Sequence, residues 1–117
     1  MNPKGPRELE IQSLTRQCNE TLVLFILADG DKHGYQLSLE IEERSDGLFR
    51  FNHGTLYPIL HKLEKDGWIR GTWARGGSKR RRKLYALTAK GRRHAAAQRE
   101  AWQRFFDAFF GIVGEMI

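Results

Sequence analysis

Residues 53 to 69 read HGTLYPILHKLEKDGWI, and this stretch decides the fold. Three of its leucines, Leu56, Leu60 and Leu63, fall within about 40° of one direction when each residue turns the helix by about 100°. Gly67 follows the last of them, at the place where a helix commonly ends. The stretch therefore predicts a helix with one buried leucine face.

The opposite side of this helix is small, basic and able to form hydrogen bonds. Four residues lie within about 40° of the pole opposite Leu56: Gly54, Pro58, His61 and Lys65. A proline inside a helix costs about 3 kcal/mol, and less near the start, where amide donors lack partners. The pattern therefore predicts that the helix begins close to Thr55 or bends at Pro58. The polar side is free to bind a ligand.

Two helices are predicted before this stretch. Apolar residues recur at helical spacing from Leu14 to Ile26, after a loose start that contains Pro3 and Pro6, and a turn at residues 29–31 ends the pattern. Residues 33–44 form a shorter, acidic helix that ends near a glycine at position 47. Residues 48–51 read as a brief extended segment, and Asn52 stands where the cap of the third helix is expected.

The period changes after the third helix. Aromatic and β-branched residues flank a Gly-Gly turn between positions 68 and 87, which is typical of a β-hairpin. Thr88 is then suited to cap a long last helix that runs to about Met116, with Gly91 as a mild liability near its start. The fold class is therefore mainly α with a small β-hairpin.

Positive charge is concentrated in one segment. The chain has a net charge of +6, yet Arg50 to Arg93 contains thirteen Lys and Arg residues against Glu64 and Asp66, while the rest contains seven basic and twelve acidic residues. A local net charge of +11 favours a polyanion partner, because phosphate neutralisation with counterion release supplies most non-specific affinity for nucleic acid. A solvated basic face without a partner is the alternative.

Three helices followed by a basic hairpin are the layout of a winged helix-turn-helix. In such a domain the third helix enters the major groove of DNA and the hairpin lies along the backbone or minor groove. The hairpin tip is rich in Arg and Lys, which suits phosphate contacts, although a solvated turn would carry the same residues. The predicted DNA-binding residues are Thr55, Tyr57, Pro58, His61, Lys62 and Lys65 on the helix, and Lys79, Arg80, Arg81, Arg82 and Lys83 on the hairpin.

Four segments resemble the PadR family of bacterial transcriptional regulators: HGYQL at 33–37, GTLYPILHKLEKDG at 54–67, RRKLY at 81–85 and LTAKG at 87–91. Each segment alone is weak, but four in the right order are specific, and the resemblance covers roughly residues 19 to 110. It implies a cytoplasmic, homodimeric repressor with a winged helix-turn-helix and a C-terminal dimerisation helix. The single helix after the hairpin is similar to the smaller subfamily, which includes multidrug-sensing regulators.

The last helix carries more aromatic surface than a small domain covers alone. One of its faces holds Trp102, Phe105, Phe106, Phe109, Phe110 and Val113. An apolar face of this kind marks an interface, so we predict a homodimer that places its two hairpins on a palindromic duplex, unless the stripe packs within one chain. The predicted organisation is an arm and helix start at 1–15, a DNA-binding domain at 16–88 and a dimerisation helix at 89–117.

Trp102 also resembles the tryptophan that faces its symmetry mate across a hydrophobic pore in multidrug-binding family members. The resemblance rests on Ala101-Trp102 at the matching distance after LTAKG. It implies an effector site for a planar aromatic or cationic small molecule, because paired indoles stack such ligands. Two alternatives stay open: Trp102 only packs the dimer, or the neighbouring phenylalanines fill the pore.

Other classes of function have weaker support. Four scattered histidines and a single cysteine, Cys18, form no constellation that catalysis or metal binding needs, so neither enzyme, metal nor cofactor is predicted. Cys18 reads as a small core residue. No apolar run approaches the roughly 20 residues of a membrane span, and the N-terminus lacks a signal peptide pattern, which predicts a cytoplasmic protein. An RNA-binding module and a protein-interaction winged helix remain alternatives to the DNA-binding regulator.

Overall fold

The computed structural model describes the backbone of residues 5–73 and 82–114, and the side chains from residue 17 onward within those ranges. The elements follow one another as α1 (Gly5–Ala28), β1 (Lys32–His33), α2 (Gly34–Arg44), α3 (His53–Lys65), β2 (Ile69–Trp73), β3 (Lys83–Leu87) and α4 (Ala89–Val113). This order confirms the predicted mainly helical, winged helix-turn-helix fold. The predicted last residues of the final helix, 115–117, lie outside the described residues.

Two local predictions before α3 are wrong. The first helix begins at Gly5, so the loose start does not extend through Pro6. A proline is tolerated there because the first turn of a helix has no use for its amide donors. Residues 48–51 form no strand; instead the Phe49 amide donates to Ser45 Oγ at 3.0 Å in a turn after α2.

The sheet has one strand more than the predicted hairpin. β2 and β3 pair antiparallel with Ile69 opposite Leu87, and the short β1 pairs with the other edge of β3, with His33 opposite Leu84. The strand order is therefore β1-β3-β2. A strand of two residues leaves almost no period-2 pattern, so sequence reasoning assigned His33 to the start of α2.

Both predicted helix caps are confirmed. The Thr55 amide donates to Asn52 Oδ1 at 2.9 Å, and the Gly91 amide donates to Thr88 Oγ1 at 2.9 Å. These side chains satisfy amides that have no partner within a helix. α3 therefore begins at His53 and includes Pro58, so a start close to Thr55 is wrong, and the alternative of a bend at Pro58 stays a prediction.

A single core joins the helices to the sheet. Its buried residues include Val23, Leu24, Leu27, Leu37, Ile41, Leu56, Leu60, Leu63, Ile69, Tyr85 and Ala95. The leucine face of α3 thus packs as predicted, and each buried leucine stabilises the fold by about 1.5–3 kcal/mol. Cys18 is only half-buried and is not part of this core, so its prediction as a small core residue is wrong; partial burial raises the pKa of its thiol.

Gly91 proves to be a requirement of the fold and not a mild liability. A Cβ at this position would overlap the backbone carbonyl of Trp68. The same junction is held by the Thr88 amide, which donates to the Trp68 carbonyl at 3.1 Å, and by Thr88 Oγ1, which donates to the Gly67 carbonyl at 2.7 Å. The start of α4 is therefore fixed against the turn that connects α3 to β2.

Candidate DNA-binding surface and effector groove

The outer face of α3 is open to solvent. Pro58, His61 and Lys65 are exposed, Tyr57 is 47% exposed, and Thr55 is half-buried beside the cap. The Tyr57 ring stacks on His53 with a centroid distance of 5.5 Å. This face therefore presents aromatic, imidazole and ammonium groups together, while the leucines hold the opposite side in the core.

Lys62 differs from its neighbours on α3, because its side chain turns toward α1. Its Nζ donates to Glu20 Oε1 at 2.7 Å, and this hydrogen bond raises the pKa of Lys62 above the usual value. Glu20 lies 42 residues earlier in the chain, so no local spacing predicted the pair. The Lys62 charge is already engaged within the protein.

The hairpin forms the wing, and its described basic residues have different surroundings. Arg82 is exposed, whereas Lys83 Nζ donates to Glu64 Oε1 at 2.9 Å and lies 5.6 Å from the ring centres of Trp73 and Tyr85. The hydrogen bond to Glu64 raises the pKa of Lys83. Lys83 therefore joins the base of the wing to α3. The other predicted wing residues, Lys79, Arg80 and Arg81, lie outside the described residues.

The N-terminal end of α2 adds an exposed aromatic residue that the sequence analysis did not select. Tyr35 is 72% exposed in the first turn of α2. The helix start is capped by His33, whose amide donates to Gln36 Oε1 at 2.8 Å. The Nδ1 of His33 lies 3.2 Å from the Lys83 carbonyl oxygen, so the same residue connects α2 to the wing strand β3. The sequence signal for Tyr35 is its place in the HGYQL segment at 33–37, and only the structure shows that its side chain is exposed.

The aromatic stripe of α4 is exposed in the described chain. Phe105, Phe106, Phe109, Phe110 and Val113 each keep between 37% and 61% of their surface in solvent. Their rings mainly contact each other, as in the edge-to-face contact of Phe109 with Phe110 at 5.3 Å. The stripe is a continuous apolar face along the last half of the helix.

Trp102 lies at the inner end of this stripe and is half-buried. Its Nε1 donates to Thr21 Oγ1 of α1 at 3.3 Å, and its ring stacks on Phe106 at a centroid distance of 5.6 Å. One side of the indole faces a groove of about 530 Å³ bounded by α1, α3 and α4. We call this the Trp102 groove.

The Trp102 groove combines an apolar lining with a few charged groups. Leu24, Leu63, Trp68 and Trp102 contribute the apolar surface, and Glu20, Lys62, Asp66 and His94 contribute the polar groups. The His94 ring stacks on Trp68 with a centroid distance of 3.9 Å. An apolar cleft with a small number of converging polar groups is typical of a small-molecule site.

Taken together, a three-helix core, a capped helix with an open polar face, and a β-hairpin wing define a winged helix-turn-helix protein. A family model described as the transcriptional regulator PadR-like family matches residues 23–97. The chain therefore belongs to the PadR-like family of transcriptional regulators. None of the helices in residues 5–114 that the structure describes has the length and hydropathy needed to cross a membrane.

Individual relatives agree with this family. The chain is 35% identical over 89 residues to a transcriptional regulator of Mycobacterium tuberculosis, across 76% of this chain and 79% of the relative. A solved transcriptional regulator from Clostridium thermocellum superposes with a TM-score of 0.75 at 29% identity, and the match covers 86% of this chain and 95% of that one. The fold therefore extends over nearly the whole length of a regulator of similar size.

Bacillus subtilis PadR has been solved in complex with operator DNA. Its match to this chain has a TM-score of 0.63 at 26% identity, and covers 69% of this chain but only 45% of the PadR chain. This chain thus corresponds to less than half of that larger protein.

Proposed function

We propose that this chain is a sequence-specific, DNA-binding regulator that acts in the cytoplasm as a homodimeric repressor and is released by a small aromatic effector. The observation that carries the DNA-binding part is the open polar face of α3 opposite its buried leucines. The operator complex of the related Bacillus subtilis PadR supports it. A winged-helix module without an effector is the second candidate, favoured if the Trp102 groove binds nothing.

The proposed DNA contact divides between base readout and phosphate binding. Tyr57, His61 and Lys65 project from the exposed face of α3, where side chains reach base edges and phosphates of the major groove. Thr55 and Pro58 belong to the same predicted surface, and Tyr35 on α2 adds a hydroxyl suited to a backbone phosphate.

The wing supplies the second part of the proposed contact. Arg82 is exposed and free of an ion pair within the described residues, and the predicted phosphate contacts of Lys79, Arg80 and Arg81 stand as proposals beside it. Lys62 and Lys83 each donate to a carboxylate, Glu20 and Glu64, which offsets part of the positive charge that they would offer a phosphate. We therefore rank both below Lys65 and Arg82 as DNA contacts.

The proposed dimer uses the aromatic stripe of α4. Five adjacent apolar side chains in solvent would leave a monomer with an unfavourable surface, which a second copy removes. Two recognition helices related by a two-fold axis then fit the two halves of a palindrome. Sedimentation at micromolar concentration tests this part: a species of only 13.6 kDa would contradict the dimer.

The proposed effector is a planar aromatic molecule that stacks on Trp102. The indole is only partly buried and forms one wall of a groove of about 530 Å³, which suits a molecule of this class. Quenching of tryptophan fluorescence by a planar dye, lost in Trp102→Ala, is the expected result. Equal quenching in Trp102→Ala would remove the effector site from this residue.

The DNA-binding function is tested with a duplex that the chain itself selects from a random pool. We expect a clear preference for a palindrome and an affinity that falls by a factor of about 10³–10⁵ between about 50 and 200 mM salt if six or more phosphates are contacted. Selection of single-stranded RNA over duplex DNA would favour an RNA-binding module. No binding at low salt would leave a protein-interaction domain.

A further inference from the structure

Glu20 stands between the recognition helix and the Trp102 groove. Its Oε1 accepts a hydrogen bond from Lys62 Nζ at 2.7 Å, and both residues line the groove. The Glu20 side chain is 28% exposed and the Lys62 side chain 57% exposed, so solvent and a ligand both reach the pair from the groove. A group that binds in the groove therefore meets an ion pair that includes a residue of α3.

The next residue of α1 connects to the other end of the groove. Thr21 is buried, and its Oγ1 accepts a hydrogen bond from the indole Nε1–H of Trp102 at 3.3 Å. The same hydroxyl donates to the Gln17 carbonyl oxygen at 3.2 Å. Two successive residues of one helix turn thus hold two different elements, because Glu20 holds α3 and Thr21 holds α4. Glu20 and Trp102 line the same groove, so a ligand large enough to fill it contacts both.

The groove contains a carboxylate, Glu20, with which a bound cation can pair if it displaces Lys62. Glu20 and Asp66 are its carboxylates, and Lys62 is the basic side chain that pairs with Glu20 in the part of the chain that the structure describes. Asp66 already has a cation nearby, since Lys90 Nζ donates to the backbone carbonyl oxygen of Asp66 at 3.2 Å. Leu24, Leu63 and the two indoles make the lining apolar, which strengthens attraction between a carboxylate and an aromatic cation.

We infer that Glu20 exchanges partners: an aromatic cation stacked on Trp102 displaces Lys62 from the Glu20 carboxylate, and α3 loses its polar connection to α1. This inference rests on the effector site proposed above and adds the two residues, Glu20 and Lys62, that connect this site to DNA binding. With Lys62 released, the described side chains of α1, from residue 17 onward, hold the recognition helix by apolar contacts, and operator affinity falls. The coupling is reciprocal, so operator DNA weakens binding of the cation by the same factor.

The ligand arm of the test compares two dyes of one shape on the full chain. N-methylacridinium is a planar cation, and acridine is its neutral counterpart in mildly alkaline buffer. We expect Glu20→Gln to bind the cation about tenfold more weakly, as the loss of one charge-assisted contact predicts, and to bind acridine unchanged. Lys62→Gln removes the competitor and binds the cation more tightly than the wild type.

The matched control is Glu42→Gln. Glu42 also pairs with a basic side chain, Arg50, at 3.2 Å, but neither residue lines the groove. This variant keeps wild-type affinity for both dyes, and thermal unfolding followed by circular dichroism checks that both glutamine variants are folded. An equal loss of cation binding in Glu42→Gln would reduce the effect to net charge and overturn the inference.

The DNA arm uses the selected palindromic duplex with equal dye and DNA concentrations for every variant, so that dye bound directly to DNA cancels. Without dye, Glu20→Gln binds the duplex two- to fivefold more weakly, in the range expected for one exposed ion pair. N-methylacridinium weakens the wild-type complex and leaves the Glu20→Gln complex unchanged beyond that cancelled background. Tighter DNA binding by Glu20→Gln would mean that free Lys62 contacts phosphate, and would overturn the inference.

The two proposals fail in different ways. If the chain binds neither dye, both the effector site in the groove and the exchange at Glu20 are contradicted. If the chain binds both dyes equally through Trp102, the groove remains the effector site, but the proposed role of Glu20 is contradicted.

Discussion

The exposed faces of α3 and α4 are opposite in chemistry, although both helices bury their other side in the same core. The outer face of α3 offers an imidazole, a phenol and an ammonium group, which remain well solvated without a partner. The stripe of α4 offers four phenyl rings to water. Exposure alone therefore does not define a site. A polar face is suited to contact phosphates and bases, whereas a large exposed apolar face is typical of an interface with a second protein surface.

The largest effect is expected from charge on the α4 stripe. Phe106→Glu with Phe110→Glu would bury two carboxylates in the proposed dimer interface, so we expect a monomer in sedimentation. Operator affinity should fall by about 10²–10⁴-fold, because the second recognition helix no longer binds as part of the same particle. Phe106→Leu with Phe110→Leu keeps the face apolar and serves as the control. A charged variant that stays dimeric would show that the stripe is not the interface.

The next largest effect is expected where the start of α4 packs against the turn between α3 and β2. Gly91→Ala places a methyl group against the Trp68 carbonyl, and we expect it to lower the free energy of unfolding by about 3 kcal/mol in urea denaturation. Gly111→Ala is the matched change, because its Cβ would meet no atom within 4 Å. That variant should be unchanged or stabilised by up to about 1 kcal/mol. Similar stabilities for the two variants would contradict the close contact at Gly91.

A smaller effect is expected from the polar face of α3. His61→Ala with Lys65→Ala should weaken operator binding about tenfold and reduce the slope of affinity against salt by about one ion, as the loss of a phosphate contact requires. The fold should be unaffected, because both side chains are exposed. Lys62→Ala should lower operator affinity less than this double substitution, since Lys62 already bonds to Glu20. A larger loss for Lys62→Ala would reverse our ranking of the DNA contacts.

The smallest expected effect is the pH dependence of the wing base. Lys83 has a raised pKa because it donates to Glu64, so the pair contributes stability fully below the ordinary lysine value of 10.5 and loses it as the pH rises through the higher folded pKa. We expect Lys83→Met to be less stable than the wild type by under about 1 kcal/mol at pH 9. The difference should vanish in more alkaline solution. A stability difference that does not depend on pH would mean that Lys83 stabilises the fold by packing on Tyr85 and not through its bond to Glu64.

The predictions from sequence succeeded where the information is local. Asn52 and Thr88 were identified as caps because a cap depends on a side chain and an amide three residues away. The leucine face of α3 was identified because helical spacing alone decides which residues share a side. The strand β1 was missed because two residues carry no period, and its place in the sheet depends on β3, about fifty residues later.

The candidate site was only partly predictable for the same reason. Helical angle placed His61, Lys62 and Lys65 on one outer side, yet Lys62 lies nearer its edge and is close enough to α1 to reach Glu20. Likewise Lys83 was assigned to the DNA-binding wing with its basic neighbours, and its bond to Glu64 depends on how the hairpin packs against α3. Charge and spacing indicate which residues are able to bind a phosphate, but not which of them are already paired.

By itself the sequence determined that four helices form, the caps of α3 and α4, the position of the wing and the opposite chemistry of the α3 and α4 faces, since these follow from periodicity and neighbouring side chains. Only the tertiary structure decided that Gly91 must be glycine, that Glu20 holds Lys62, and that Trp102 bonds to Thr21 across 81 residues of chain. The physical reason is that such contacts form only after the core has brought distant segments together. Their partners therefore leave no trace in local spacing.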